Sequence, residues 1–158
     1  MAINKEQKAK EIYDLLCETL NDREWNFKKE ESELQVSFGV VGDDLPMQVR
    51  IYVEAEREFV ILYCSQDLVV PDDKRVPFAL GVCAVNDHLV DGSFDFDMTD
   101  GTYNYRLVVN YHDAVVGKGL FEYLIDCAAS TVDGVNEVMH NYVAGKIDLE
   151  EFLQKMKS

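Results

Sequence analysis

The sequence predicts an α+β fold, a twisted antiparallel sheet of about six strands with helices packed on it, in the order α-ββββ-α-ββ-α-α. Stretches in which apolar and polar residues alternate predict the strands, because successive side chains of a strand point to opposite faces of the sheet. Longer stretches in which apolar residues recur every three or four positions predict the helices. Several strand patterns follow one another with only short turns between them, which favours antiparallel pairing in a meander.

The first half of the chain predicts one helix and four strands. Apolar residues recur at helical spacing from Ala9 to Leu20, and Asn4 stands where a capping side chain is favoured. A short strand is expected around Trp25–Phe27, and three longer strands follow, with a turn at 42–46 between the first two of them. The three longer strands are predicted at 33–40, 47–54 and 59–64.

The second half predicts three helices and a hairpin. One apolar stripe runs from Phe78 to Leu89, with Pro77 in the first turn and Gly92 after the end of the helix. A long third helix is predicted from Lys118 to Gly145, and its apolar stripe is continuous along that length. Asp148 is placed to cap a short fourth helix.

Between the second and third helices, the stretch 94–107 (FDFDMTDGTYNYRL) resembles a calcium-binding loop. An EF-hand loop needs glycine at its sixth position and a bidentate glutamate at its twelfth. Counted from Asp95, those positions hold Asp100 and Arg106, so a cation would replace the essential carboxylate. Counting from Asp97 fails as well. We therefore predict no metal site in this stretch.

A β-hairpin accounts for the same residues. Asp100-Gly101 is a favoured pair for a two-residue type I′ turn. Such a turn would place Phe96 opposite Tyr105 on one side of the hairpin. On the other side, Asp95 would face Arg106 as a pair of opposite charges. The carboxylates of the stretch are then expected on the solvent face.

Charge is the strongest signal in the composition. Fifteen basic residues stand against thirty acidic residues, which gives a net charge of −15. Between Val76 and Gly145 the basic residues are Arg106 and Lys118 alone, against ten acidic ones. Such a surface would repel nucleic acid and anionic membranes, so neither is expected as a partner. The charge either serves solubility or attracts a basic protein partner.

No motif for catalysis, cofactor binding or metal binding stands out. The four cysteines have no CxxC spacing, and we expect reduced thiols that pack as small apolar residues. The three histidines are isolated, and the sequence contains no GxGxxG, GxSxG or HExxH motif. We therefore predict no catalytic, cofactor-binding or metal-binding residues, and a protein that is not an enzyme.

No segment resembles a targeting signal or a membrane span. The N-terminal residues carry charges throughout and lack the apolar segment of a signal peptide. The longest apolar run, FVILYC at 59–64, is far too short to cross a bilayer. We expect a cytoplasmic protein that folds as a single domain over residues 1–158.

The run FVILYC is apolar on both faces of its predicted strand. Alternate side chains point to opposite sides, with Phe59, Ile61 and Tyr63 on one and Val60, Leu62 and Cys64 on the other. A large exposed apolar patch is rare on a soluble monomer, so something must cover the second side. The candidates are a helix of the same chain, such as the fourth, a second copy, or a client protein. We predict a homodimer, with Tyr52, Val60 and Leu62 as partner- or dimer-binding residues.

From about Trp25 to Phe152 the chain resembles the YbjN family of bacterial sensory transduction regulators. The similarity lies mainly in residues 78–109 and 120–139, which hold the second helix, the hairpin and the third helix. The residues that look like the family's helix-to-hairpin signature are Ala84, Val85, Asn86, Leu89, Gly92, Phe94, Asp100, Gly101, Tyr105 and Arg106.

The resemblance implies a fold similar to that of type III secretion chaperones, which are small acidic proteins, often dimeric, that bind extended segments of client proteins. It implies no agreed enzymatic activity. We therefore expect a non-enzymatic protein-interaction module, chaperone-like or regulatory, that binds a protein partner. The alternative is a small-molecule-binding protein or a small enzyme with a pocket between the sheet and the helices.

Overall fold

The computed structural model describes residues 4–43 and 45–158, in which four α-helices lie on a six-stranded sheet. The helices are α1 (Lys5–Asp22), α2 (Arg75–Asn86), α3 (Lys118–Val143) and α4 (Leu149–Met156). The strands are β1 (Lys28–Glu30), β2 (Gln35–Val41), β3 (Pro46–Glu54), β4 (Phe59–Ser65), β5 (Ser93–Phe96) and β6 (Tyr103–Asn110). This order confirms the predicted α+β class. Asp44, in the predicted turn at 42–46, lies outside the described residues, as do residues 1–3.

The sheet is antiparallel throughout, with its strands in the order β1-β2-β3-β4-β6-β5. On β3, Ile51 lies opposite Val36 of β2 and opposite Leu62 of β4. Leu62 in turn lies opposite Leu107 of β6. All four side chains are buried in the hydrophobic core. The alternation that predicts the strands therefore also selects the face that the helices cover.

Side-chain caps begin the first and last helices where the sequence predicts them. The carboxamide oxygen of Asn4 accepts a hydrogen bond from the N–H of Glu6 at 3.1 Å. The carboxylate of Asp148 accepts one from the N–H of Glu151 at 2.9 Å. Each cap satisfies a backbone donor that the helix itself leaves unpaired.

The helices form one layer on the sheet. α1 and α3 lie over the central strands, α2 lies over β5, and α4 packs against α2 and α3. Phe152 of α4 stacks on Tyr142 with ring centroids 4.3 Å apart, and its centroid is 5.7 Å from that of Phe78. Gly81 makes room for this ring, because a Cβ there would lie 2.2 Å from it. The fourth helix thus belongs to the helical layer and does not fold over the other side of the sheet.

Membrane insertion through a helix finds no support in the described part of the chain. None of the helices there is long and apolar enough to cross a bilayer.

The first strand begins later than predicted. β1 spans Lys28–Glu30 and pairs with residues 35–37 of β2, whereas the sequence places it around Trp25–Phe27. Trp25 packs edge-on against Phe38 instead, with ring centroids 5.2 Å apart. The aromatic residues that suggest a strand therefore serve side-chain packing, and the backbone pairing falls on the charged residues that follow.

The β5–β6 hairpin is present, but its register differs from the prediction. Phe96 lies opposite Tyr103 and not opposite Tyr105, so the pairing is shifted by two residues. A shift of two keeps each side chain on its predicted face, because the side-chain period of a strand is two. The predicted pair of Arg106 and Asp95 forms across a diagonal, with 2.9 Å between Nε and Oδ2.

The turn of this hairpin is longer than predicted and is built by its aspartates. The N–H of Asp97 donates to the carbonyl of Thr102 at 2.8 Å, which closes a loop and not a two-residue turn. Asp97 and Asp100 each accept a hydrogen bond from the backbone N–H two residues further on, at 2.8 and 2.9 Å. Gly101 has a positive φ of 80° but Asp100 does not, whereas a type I′ turn needs both.

Candidate protein-interaction face

The side of the sheet opposite the helices, which we call the open face, carries a small apolar cluster. Cross-strand pairing places Tyr52, Ile61 and Val108 in one row on β3, β4 and β6. Phe59 and Tyr63 flank Ile61 on the same strand and the same face. None of these five is part of the hydrophobic core formed by the described residues. Ile61 is only 7% exposed because its neighbours surround it, whereas Val108 is 44% exposed.

The rings of this cluster contact one another and two arginines. Tyr52 and Tyr63 are stacked, with ring centroids 6.2 Å apart. The guanidinium of Arg50 lies 5.1 Å from the ring of Tyr63, and that of Arg57 lies 5.5 Å from the ring of Phe59. Burial raises the pKa of Tyr52 above its ordinary value of 10.0. The open face thus presents preorganised aromatic and cationic groups.

The structure separates the three residues that the sequence assigns to a binding surface. Tyr52 lies on the open face. Val60 and Leu62 lie on the opposite face and are 0% exposed beneath the helices. A partner cannot reach them in the folded chain, which corrects their assignment as partner- or dimer-binding residues. The accessible side of β4 is the one on which Phe59 and Tyr63 are half-buried, with Ile61 between them.

The neighbouring strand contains the signal that distinguishes the two faces of β4. Along β3, the exposed polar residues Gln48 and Arg50 alternate with buried apolar residues, so they mark the side that faces solvent. Arg50 lies opposite Tyr63, and this pairing assigns Tyr63 to the same side. β4 alone cannot reveal its orientation, because a run that is apolar at every position has no period.

A groove of about 700 Å³ lies at one end of the open face. It is lined by strand residues, among them Gln48, Arg50 and Tyr63, and by the loop 66–69 that follows β4. The pocket expected from the sequence would lie between the sheet and the helices, whereas this groove involves the other side of the sheet. Its volume is typical of ligand-binding cavities.

The open face carries charges of both signs, although the chain is strongly acidic. Arg106 pairs with Asp95 at 2.9 Å, and Arg57 pairs with Glu54 at 3.6 Å. Arg50 has no ion-pair partner among the described residues. The acidic excess lies elsewhere, and many of its members are exposed carboxylates on α1 and α3.

Residues that carry the family resemblance hold the corner between α2 and the β5–β6 hairpin. The carboxamide of Asn86 accepts a hydrogen bond from the N–H of Phe94 at 2.8 Å and donates one to the carbonyl of the same residue at 3.0 Å. The hydroxyl of Tyr105 donates to the carbonyl of Asp91 at 2.6 Å. Gly92 has a φ of +68°, and a Cβ there would lie 2.6 Å from that hydroxyl. These roles are structural, so the signature identifies the fold and not the open face.

His112, which is isolated in the sequence, is paired in the fold. Its Nδ1 lies 2.6 Å from the carboxylate of Glu58, and Nζ of Lys5 lies 3.8 Å from the same carboxylate. Glu58 is buried, and its hydrogen bond with His112 holds the pKa of that carboxyl below its ordinary value of 4.5. His112 and Glu58 are 54 positions apart, so sequence spacing gives no sign of the pair.

Residues 4–43 and 45–158 contain no group of three or more His, Cys, Asp and Glu that could hold a metal ion.

The chain matches one family model and is similar to several solved structures. The family model YbjN, described as "Putative bacterial sensory transduction regulator", matches residues 13–141. The crystal structure of YbjN, "a putative transcription regulator from E. coli", is 13% identical and has a TM-score of 0.60, with 84% of this chain and 92% of that chain covered. A chain of the crystal structure of the ExsC–ExsE complex is 17% identical and has a TM-score of 0.59, with 83% and 95% covered. No curated protein matches the sequence.

At these sequence identities, the similarity to the two solved structures is evidence for the fold alone. They agree with the predicted order of strands and helices over most of the chain. The predicted fold class, a type III secretion chaperone-like α+β architecture, is therefore confirmed.

Proposed function

The chain belongs to the YbjN family, and we propose that it is a protein-interaction module, chaperone-like or regulatory in role, and not an enzyme. Its partner is a protein that docks on the open face. The family is described as regulatory, and one of the similar structures is that of a protein complex. Both observations support binding of a protein over chemistry on a small substrate.

The row of Tyr52, Ile61 and Val108 is the observation that carries this proposal. The row lies on the side of the sheet away from the helical layer. Tyrosine and arginine are enriched at the energetic centres of protein interfaces, and Arg50 and Arg57 border the row. A partner that covers the row would remove apolar surface from water, which favours association.

A basic partner suits the charge of the chain. The net charge of −15 attracts cationic proteins over about the Debye length of 8 Å at physiological salt. The open face itself carries charges of both signs. The net charge of the whole chain therefore speeds the encounter with a basic partner, and the aromatic row contributes the free energy of binding.

The free protein is, in this proposal, a homodimer through the open face. An isologous interface brings the same patch of two copies together. Two chains of net charge −15 repel each other least where their surfaces carry both signs. Light scattering at micromolar concentration should then give twice the chain mass of 18.0 kDa, and a mass of 18.0 kDa would contradict the homodimer.

The proposed setting is the cytoplasm, with residues 1–158 acting as one domain. All four cysteines are free thiols, and Cys17 and Cys64 are buried. Thiols that stay unpaired suit a reducing compartment.

The docking face can be tested with one pair of matched substitutions. Val108→Glu places a charge in the apolar row, and Val90→Glu makes the same change at a 96% exposed position in the α2–β5 loop. Both variants should keep the melting temperature of the wild type within a few degrees, since surface changes cost little.

Affinity capture from the native cell extract then compares the three proteins. The wild type and Val90→Glu should retain the same partners, and Val108→Glu should lose them. Retention of every partner by Val108→Glu at wild-type strength would place the binding surface elsewhere.

A further inference from the structure

We propose that the groove at the end of the open face binds the C-terminal carboxylate of a partner protein, with Arg50 as the receptor for that carboxylate. The inference rests on the proposed protein-binding function and specifies which part of the partner is recognised. Three features of the groove carry it.

The first feature is that the fold leaves Arg50 without an ion pair. The described residues include all five arginines of the chain, and the other four pair with Asp126, Glu54, Asp72 and Asp95. The chain has thirty acidic residues and fifteen basic ones, so there are enough carboxylates for every arginine to form an ion pair. Arg50 instead lies over the ring of Tyr63 and lines the groove. A guanidinium held in this way presents a planar fork of donors that fits a carboxylate.

The second feature is a pair of amide side chains that also line the groove. Nε2 of Gln66 and Oδ1 of Asn104 are buried and have no hydrogen-bond partner among the described residues. The hydroxyl of Tyr103 donates to Oε1 of Gln66 at 3.0 Å, so the NH2 group is the free end of that amide. Buried polar atoms without partners are costly and uncommon. One free donor and one free acceptor match the carbonyl and N–H of a peptide group.

The groove brings these groups together, because all of them line it. Asn104 lies opposite Ser65 at the end of β4, and Gln66 is the next residue along the chain. Tyr63, the ring beneath Arg50, is two residues before Ser65, which is about 7 Å along a strand. A carboxylate on Arg50 would therefore lie within about two residues' length of a peptide group at the two amides.

The third feature is the charge around the groove, which selects the kind of anion. Asp67 and Asp95 also line it, and Asp95 is neutralised by Arg106 at 2.9 Å. The single positive charge of Arg50 balances the single negative charge of a carboxylate. A phosphate dianion would keep one unbalanced negative charge, which Asp67 would repel.

The overall charge of −15 selects the source of the carboxylate. It repels a partner segment rich in acidic side chains. A chain terminus provides one carboxylate beside its own peptide groups whatever the charge of the rest of the protein, so it also suits a basic partner.

An array of short synthetic peptides of random sequence tests this inference. The peptides are attached through their N-termini, and each sequence is present with a free C-terminal carboxylate and with a C-terminal carboxamide. The full-length protein is applied as the wild type, as Arg50→Gln and as Arg23→Gln. The last variant is a matched control, because the guanidinium of Arg23 also lies over an aromatic ring, that of Trp25, but Arg23 follows α1 in the helical layer and does not line the groove.

The wild type and Arg23→Gln should bind a subset of the free-acid peptides. Binding should weaken about tenfold or more for the carboxamide forms and for Arg50→Gln, since hydrogen bonds to charged groups contribute that much. Equal binding of both forms would overturn the inference in favour of an internal segment. Binding of carboxamides that depends on an internal Asp or Glu and on Arg50 would assign the carboxylate to a side chain and overturn the C-terminal source.

The peptide array tests the carboxylate receptor, and the affinity capture tests the protein-binding face, so either proposal can fail without the other. If Val108→Glu loses its cellular partners but no array peptide binds the wild type, the protein-binding face stands and the carboxylate receptor is overturned. If array peptides bind through Arg50 but Val108→Glu keeps every partner, the groove stands and the apolar row is not the docking surface.

Discussion

Among single residues, Glu58 is the charged side chain that the described fold buries. Its backbone has a φ of +59°, and its carbonyl accepts a hydrogen bond from the N–H of Tyr111 at 2.8 Å. Its carboxylate meets His112, which follows β6, and Lys5, which begins α1. One residue of the β3–β4 turn therefore joins three parts of the chain that are distant in sequence.

Glu58 should make the stability of the protein depend on pH. Its folded pKa lies below the unfolded value, so its contribution is present above the unfolded pKa and is lost as the pH falls through the folded pKa. Melting temperatures of the wild type and Glu58→Gln, measured from about pH 6 to about pH 3, should differ most at the upper end and converge at the lower end. The exposed neighbour Glu56, changed to Gln, is the control and should show no such trend. A difference between wild type and Glu58→Gln that is constant over the range would contradict this role.

Gly92 and Gly119 should respond in opposite directions to alanine. Gly92 has a φ of +68°, and its Cβ would lie 2.6 Å from the carbonyl oxygen of Arg106, so Gly92→Ala should cost at least about 1 kcal/mol. Gly119 lies in α3 with no atom within 4 Å of an added Cβ, so Gly119→Ala should add up to about 1 kcal/mol. Urea denaturation measures both free energies of unfolding. Similar effects at the two sites would mean that the α2–β5 corner is not as tight as described.

Among elements, the third helix shows what sequence period can predict. Spacing alone predicts its apolar stripe, and seven of the eight residues in that stripe are buried, with Val135 half-buried. The members are Phe121, Leu124, Ile125, Ala128, Val132, Val135, Met139 and Tyr142. The helical spacing of apolar residues is a reliable guide here because a long helix faces the core and the solvent in turn over several turns. A chance match to that spacing over such a length is rare.

Leu124 provides the corresponding stability prediction. It is 1% exposed in the middle of the stripe, so Leu124→Ala should cost about 2–5 kcal/mol of unfolding free energy. Glu137 is exposed on the same helix, and Glu137→Ala should cost less than about 0.5 kcal/mol. Denaturant titration of both variants would reveal a misassigned stripe as two losses of equal size.

The strands show the limit of what the alternation of apolar and polar residues can predict. β4 is apolar at six consecutive positions, so only its pairing with β3 decides that Val60 and Leu62 face the helices. The hairpin register was misplaced because Asp-Gly favours a tight turn locally, whereas hydrogen bonds from the carboxylates of Asp97 and Asp100 stabilise a longer loop. In both cases the deciding contact involves residues that local patterns do not connect.

In the whole molecule, the sheet is an asymmetric platform with helices on one side and a mixed aromatic and charged surface on the other. The sequence predicted this architecture and placed Tyr52 on a candidate surface. It could not single out Arg50, because an arginine is recognised as unpaired only after the fold has assigned carboxylates to the other four. The candidate site is thus a property of tertiary structure, whereas the elements are largely a property of sequence.

The double hydrogen bond from Asn86 to Phe94 has a consequence for how molecules of this protein can associate. β5 is the border of the sheet, and the Asn86 carboxamide occupies the two backbone groups that a strand from another molecule would use at Phe94. The opposite border, β1, is only three residues long. Exposed borders are where sheets grow into fibrils, and short or occupied borders resist that growth. A broad sheet surface can therefore stay available for binding across its face, while both borders resist the edge-to-edge pairing of further copies into a fibril.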